Sequence, residues 1–375
     1  MADGLPTIWE GAPHTFAKHQ ILKTYFKAWM PILSKFTNNL GQSGHRLLFV
    51  DGFAGPGSYA GGEDGSPILA LESVLTHSRE LPVPVSFLFI EQDDERFSEL
   101  NNAINNYKNK AKTSSRIKSI SVKHGDCETI LNMYLDNVKK VGPALFFLDQ
   151  FGFSDVSMDL IKRIMSQPFC EVFSYLNWNH MNRFLSDKTK WPSITKAYGG
   201  EEWRKVFSLE NRGRADFMLN TYKTALEKRA GSKYIWHFAM CDRSDKLLYW
   251  LFFCTNNLRG VEEMKRAMWK VDVTGGFRFS DKDNPSQLNL FVNYNSSLLA
   301  NDLISSLGGN TLTVFQVKEF VLTETPAYLY KKALKMLEDK DLLRVSEAPL
   351  GRRKGTFSDD YMHQMKLTFS SSLHF

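Results

Sequence analysis

Five short runs in the first half of the chain, "RLLFVD", "PVSFLFIEQD", "IKSISVKHGD", "PALFFLDQFGF" and "CEVFSYLNW", alternate with segments of helical periodicity. The runs are apolar continuously rather than at every second residue, so the strands they form need cover on both faces. The helices between them read "SPILALESVLTHS", "RFSELNNAINNY", "CETILNMYLDNV" and "SMDLIKRIMSQ". In the first of these, Ser66 is the expected N-cap and Pro67 the first helical residue. This alternation predicts an α/β fold with a mostly parallel, Rossmann-like sheet.

The pattern changes after the fifth run. Residues 177–232 are polar, helical and tryptophan-bearing, and read as an insertion whose Trp191 and Trp203 are either a lid or core. "YIWHFAMC", the turn "DRSDK" and "LLYWLFFCTN" then read as an antiparallel hairpin, closed by the helix "GVEEMKRAMWKV". A parallel sheet finished by such a hairpin is the signature of class I methyltransferases. Ahead of the sheet, Ile21, Leu22, Tyr25, Phe26, Trp29, Ile32 and Leu33 recur at helical spacing. The expected division is a lead-in helix over residues 1–44 covering the cofactor pocket, a methyltransferase-like domain over 45–279, and a winged-helix-like domain over 280–375. In that last part a Thr313–Gln316 capping box opens one helix. "TPAYLYKKALKMLEDKD", capped by Thr325, makes a second, and "LLRVSEAPLGRRKGTFS" is a hairpin with a basic turn.

Composition narrows the function classes. At 43% hydrophobic and 23% charged residues, with no apolar run near eighteen residues and no signal-peptide pattern, the expectation is a cytoplasmic protein without membrane contact. Cys127, Cys170, Cys241 and Cys254 form no CxxC pair, so no metal site is expected. The net charge of +6 is unevenly placed. Lys18, Lys23, Lys27, Lys35 and Arg46 occur in a stretch without acids, and Lys108, Lys110, Lys112, Arg116, Lys118 and Lys123 in another. Such clusters are solvated faces or suit a phosphate backbone.

The chemistry sits at the strand ends. After the first strand comes D-x-F-x-G-x-G: Asp51, Gly52, Phe53, Ala54, Gly55 and Gly57. The glycines run G-x-x-G-x-G, which is not the dinucleotide pattern GxGxxG, and no phosphate loop GxxxxGK[ST] occurs. Bare backbone at a strand end lets a ligand lie close, and the pattern fits the loop that passes under the methionine part of S-adenosylmethionine. Asp51 would then engage the amino end of that zwitterion. Glu91, followed by Gln92, is placed to accept from two ribose hydroxyls, and Asp126, before Cys127, from an adenine amino group. At the fourth strand end, Asp149, Gln150, Phe151 and Phe153 would orient and stack an acceptor amine, because transfer from a sulfonium needs an in-line lone pair rather than a strong base.

"PHTFAKHQILKTYFKAWMPIL", "FVDGFAGPGSYAGGEDGSP", "FIEQD", "FFLDQFGF", "NHMNRF" and "LFFCTNNLRGVEEMKRAMWK" together cover most of residues 12–275. In these stretches the chain resembles the three-Cys-motif partner protein family of bacteria and phages. The family usually carries proline where this chain has Gln150. The resemblance implies a class I S-adenosylmethionine-dependent methyltransferase-like fold and a three-cysteine-motif partner protein. Within the first stretch, Lys18, flanked by His14 and His19, could offer a cation to the methionine carboxylate. Asn182 and Arg183 could line a substrate mouth.

The tail suggests a target. From Lys331 to Lys354 eight cations face four acids, a net +4. On a winged helix, Lys331, Lys332 and Lys335 would lie on the groove-facing helix, and Arg352, Arg353 and Lys354 on the wing. The expected function is methylation of an amino group on nucleic acid, DNA in the first instance. The alternative is a non-catalytic methyltransferase-fold scaffold for the partner.

Overall fold

The computed structural model describes residues 11–39, 46–138, 141–272, 278–281 and 295–371. The chain forms two compact units, residues 1–271 with 279–284, and residues 272–278 with 285–375. The first ten residues and residues 40–44 of the expected lead-in segment lie outside the described residues.

The larger unit opens with α1 (Pro13–Asn39), whose Ile21, Leu22, Tyr25, Phe26, Trp29 and Met30 are buried. Pro31 lies inside this helix and cannot donate to the Lys27 carbonyl one turn back. The His77 Nε2 donates to that carbonyl instead, at 3.0 Å, while the Arg79 N–H donates to Nδ1 at 3.1 Å. A distant side chain thus completes the helix.

Then come β1 (Leu47–Asp51), α2 (Ser66–Leu75), β2 (Val85–Glu91), α3 (Asp94–Thr113), β3 (Ile117–His124), α4 (Cys127–Asn137), β4 (Ala144–Leu148), α5 (Met158–Met165) and β5 (Cys170–Leu176). Every residue of β1, β2, β4 and β5 is buried, as continuous apolar runs require. In contrast, β3 exposes Lys118, Ser119, Lys123 and His124, which suits the edge it occupies. The helix after β1 starts one residue earlier than its cap signal suggested: Gly65 is the N-cap and Ser66 is already helical.

Helices α6 (Trp178–Phe184), α7 (Trp191–Tyr198) and α8 (Asn211–Lys228), with two short 3₁₀ turns, make the insertion. Trp203 is fully buried there and stacks edge-on with Trp191 in the same core as the sheet. Trp203 is core, and Trp191 packs half-buried against it. Next, β6 (Tyr234–Cys241) and β7 (Leu247–Thr255) form the hairpin, α9 (Leu258–Trp269) follows, and β8 (Arg278–Ser280) edges the sheet.

The strand order is β3-β2-β1-β4-β5-β7-β6-β8, with β1 to β5 parallel and β7 antiparallel to β5. That is the class I methyltransferase-like sheet. Its order reverses between β1 and β4, the crevice where open α/β sheets bind ligands. Asp51 ends β1 there, and β4 delivers Asp149.

The second unit contains α10 (Ser296–Leu307), β9 (Thr311–Thr313), α11 (Val314–Glu324), α12 (Tyr330–Asp339), β10 (Leu343–Ser346) and β11 (Lys366–Phe369). Its three strands pair antiparallel in the order β10-β11-β9. The Thr313–Gln316 capping box is present. Thr325, however, is the C-cap of α11, and α12 begins at Tyr330. The returning strand is residues 366–369 rather than the "TFS" after the basic turn. Leu299, Leu303, Val317, Val321, Leu334, Leu337 and Leu367 form its core.

Candidate functional site: the glycine cleft

Asp51 is fully buried at the end of β1. The Phe53 N–H donates to its Oδ1 at 3.2 Å, while Oδ2 has no hydrogen bond of good geometry among the described residues. Burial pushes its carboxyl up to about 7. The Ser66 hydroxyl and the Phe53 N–H pull the other way, and the charges of Asp149 and Glu91 add to the rise.

The glycines do three different jobs. Gly52 is bare for packing: a Cβ there would lie 2.6 Å from Cys127 Sγ and 2.9 Å from a Leu148 methyl. Gly55 and Gly57 have φ of +61° and +91°, the left-handed conformations only glycine adopts cheaply. Gly57 also accepts from the Gly65 N–H at 2.8 Å, and Ser58 bridges to Asp64, so "GGEDG" folds back as a miniature hairpin on the loop.

Glu91 is the clamp of this loop. Its Oε2 accepts from the Gly55 N–H at 2.8 Å, and its Oε1 from the N–H groups of Gln92 and Asp93 at 3.0 and 2.9 Å. The donors expected from a ribose diol are therefore already supplied by the backbone. Gln92 is exposed, and its carbonyl accepts from His124. Asp126 is the N-cap of α4, its Oδ1 taking the Thr129 N–H and hydroxyl at 2.8 and 2.7 Å. Cys127 is sealed under Gly52, and burial raises its thiol well above the ordinary range.

Thr15, Lys18 and His19 of α1, Phe53 to Tyr59, Gly65, Ser66, Asp149 and Phe151 line one cleft of about 80 Å³. Asp51, Gly52, Glu91, Gln92, Asp126 and Cys127 do not line it. Lys18 is buried and pairs directly with Asp149 Oδ2, so in the structure it serves a carboxylate of the chain itself. Its ammonium also lies 5.7 Å from the Tyr175 ring centre and 6.0 Å from that of Tyr249. Burial, and Lys18 secondarily, lowers His19 to about 3, so its ring is neutral; its Nε2 stands 3.5 Å from the Tyr59 hydroxyl.

The four residues expected to handle the acceptor separate. Asp149 and Phe151 reach the cleft, and Phe151 is half exposed with the Arg96 guanidinium 5.6 Å from its ring. Gln150 is buried and braces the fold: its amide donates to the Tyr175 carbonyl at 3.1 Å and accepts from the Asp155 N–H at 3.0 Å. Phe153 is buried in the core, 5.6 Å from the His180 ring. Neither can touch an acceptor in the cleft. Asn182 and Arg183 are exposed on α6 and do not line it either. Tyr175 and Tyr249, rings 4.4 Å apart beside Lys18, escaped the sequence reading because both sit inside apolar strand runs. A tyrosine needs a polar partner for its hydroxyl even when buried, which was the available signal.

In the second unit Arg352 does not project from a wing. Its guanidinium makes two 2.7 Å bonds to Glu338, and Glu338 Oε2 also takes the Gly355 N–H at 2.7 Å. Burial would raise the Glu338 carboxyl, but these bonds and the charges of Arg352 and Lys354 outweigh it and hold it low. Lys331 pairs with Asp359 at 2.8 Å and Lys354 with Asp341 at 3.3 Å. Lys332, Lys335 and Arg353 are exposed and form no ion pair among the described residues. The stem of Lys335 lies where a Gly355 Cβ would be, 2.8 Å away.

No family model matches the chain, and no curated protein does. Among solved structures it is similar to a protein assigned as an S-adenosyl-L-methionine-dependent methyltransferase of Methanococcus maripaludis. The identity is 12% and the TM-score 0.29, covering 68% of this chain and 97% of that one. It is similar also to one assigned as a caffeoyl-CoA O-methyltransferase of Staphylococcus aureus, with 11% identity, TM-score 0.29 and coverage of 60% and 83%. A third is TYW2 of P. horikoshii in complex with MeSAdo, with 12% identity, TM-score 0.25 and 56% of each chain. The strand order described above is what assigns the fold. Among the described residues no helix is long and apolar enough to cross a membrane, and no cluster of metal ligands occurs.

Proposed function

We propose that the chain is an S-adenosylmethionine-dependent methyltransferase acting on an amino group of nucleic acid. The observation that carries the reading is Asp51: a buried carboxylate whose Oδ2 has no hydrogen bond of good geometry among the described residues, at the root of a glycine loop on the β1/β4 crevice. A buried carboxylate is costly unless a donor reaches it, and the ammonium of the cofactor's methionine part is such a donor. When bound, the cofactor supplies an electrophilic methyl group. Gly55 and Gly57 let it lie on bare backbone, and Lys18 is the cation suited to its carboxylate. Asp149 orients the incoming amine, Phe151 offers a ring to stack on, and α1 with Tyr175 and Tyr249 keeps water out. The structural arrangement helix–strand–helix–helix–strand–strand of the second unit supports a winged helix carrying the enzyme to nucleic acid. The sequence resemblance supports a three-cysteine-motif protein as partner.

Two observations favour a scaffold instead: Lys18 occupies Asp149, and the cleft holds only about 80 Å³. Thermal-shift titration separates the two. S-adenosylmethionine or its demethylated product at a hundredfold over its Kd should stabilise the protein by about 2.7 kcal/mol, NAD should not, and Gly55→Trp should abolish the shift. Cofactor binding without methyl transfer to any nucleic acid would support the scaffold.

A further inference from the structure

A larger pocket, of about 230 Å³, lies at the opposite end of the sheet, between α1, the start of β5 and the turn from β7 into α9. Trp29, Ile32, Leu33, Pro168 and Phe169 make apolar walls, and Glu171 is the polar floor. Glu171 is buried and accepts hydroxyl hydrogen bonds from Tyr25 and, at 2.7 Å, from Thr255. The indole N–H of buried Trp29 faces the same carboxylate without reaching hydrogen-bond geometry. Gly260 keeps α9 clear of it, since a Cβ there would lie 2.5 Å from Oε1. At the rim, Phe169 holds φ at +60°, a costly conformation for an aromatic residue and one that clusters at ligand sites. With Ile32 and Phe36 it forms an exposed apolar lip.

An open groove of about 500 Å³ adjoins this cavity and shares Ile32, Arg259 and Glu263 with it. Its other lining includes Lys27, Arg79, Arg266 and Lys270. Arg259 and Arg266 are tied to Glu262 and Glu263. Lys27, Arg79 and Lys270 make no ion pair among the described residues. The His77 bond to the Lys27 carbonyl fixes one wall against the other.

We propose that cavity and groove together bind a purine nucleotide, its base in the apolar cavity and its phosphates along the groove. An amino-bearing base fits these apolar walls over a carboxylate that keeps lone pairs beyond its two hydroxyl donors. Cations next to it that make no ion pair among the described residues suit phosphate oxygens. The nucleotide is either free or an unstacked residue of a single strand, the same chemistry from two sources. The site stands apart from the glycine cleft and does not depend on methyl transfer.

Competition binding on the full chain tests this, with ATP, AMP, adenosine, tripolyphosphate and a short single-stranded oligo(dA) as probes, repeated in Gly55→Trp to remove the glycine cleft. ATP or the oligonucleotide should bind in both backgrounds, with adenosine and tripolyphosphate each at least tenfold weaker. Binding of ATP marks a free nucleotide; binding of the oligonucleotide alone marks a strand. The combined Lys27→Ala, Arg79→Ala and Lys270→Ala variant should weaken binding at least tenfold and flatten its salt dependence, while leaving any cofactor thermal shift in place. Glu171→Gln should weaken ATP and adenosine but not tripolyphosphate. If that variant misfolds, Leu33→Trp, which fills the cavity, should do the same. Tripolyphosphate binding as tightly as ATP, no binding of any probe at millimolar concentration, or wild-type affinity in these variants would overturn the proposal.

Discussion

Asp51 and Glu91 end neighbouring strands of one sheet, both buried, yet they differ in what the protein itself gives them. Glu91 accepts three backbone N–H groups, one from Gly55 of the glycine loop and two from Gln92 and Asp93 just after it, and has little left to offer. Asp51 has one such bond, the pull of the Ser66 hydroxyl, and an Oδ2 without a hydrogen bond of good geometry among the described residues. Burial alone therefore does not mark a ligand group; the hydrogen-bonding capacity left over does. The same division recurs in the second unit, where Arg352 is saturated by Glu338 while its neighbour Arg353 is exposed.

The sharpest test of that contrast is Glu91→Ala. It strands three backbone N–H groups at once and should destabilise the larger unit by about 3–5 kcal/mol in chemical denaturation. A loss below about 1 kcal/mol would mean the clamp is not structural. Arg352→Ala leaves Glu338 with only the Gly355 N–H and the charge of Lys354 and should cost about 1–3 kcal/mol in the second unit, whereas Arg353→Ala should stay within about 0.5 kcal/mol.

Asp51→Asn should go the other way. The folded carboxyl sits at about 7 against an unfolded value near 3.8, so the folded state holds an extra proton between those limits. Stability should accordingly fall as pH rises from about 4 through 7, and Asp51→Asn should remove that slope. The variant should be more stable than the parent at pH 8, by about 1–3 kcal/mol, while losing the thermal shift with S-adenosylmethionine. Equal pH slopes in parent and variant would dissolve the distinction between the two carboxylates. The smallest effect belongs to the wing: if the second unit binds nucleic acid, Arg353→Ala should lower the log–log salt slope by about one unit without altering the melting curve.

The five parallel strands and the closing hairpin were legible because continuous apolar runs, three of them ending at Asp51, Glu91 and Asp149, have few other ways to fold; β8 was not, being three residues inside a polar stretch. The division of labour among the polar residues was not. That Gln150 turns inward depends on the Tyr175 carbonyl one strand away, and that Arg352 is a clamp depends on Glu338, fourteen residues earlier. Motif spacing places a side chain at a strand end but does not show which way it points or who meets it. The strand β9 escaped the sequence reading because it is only three residues long, whereas α10 carried a legible signal that was missed: its Leu299, Ala300, Leu303, Ile304 and Leu307 recur at helical spacing behind the Asn295 cap.

The close fit of Gly52 over Cys127 has a practical side. All four thiols, Cys127, Cys170, Cys241 and Cys254, are buried, and all belong to the larger unit. Burial also raises Cys127, Cys170 and Cys254 away from the reactive thiolate. Colour development with a thiol reagent will therefore wait for the sheet to open and will be blind to events in the carboxy-terminal unit. The intact chain carries a built-in clock for one half of itself.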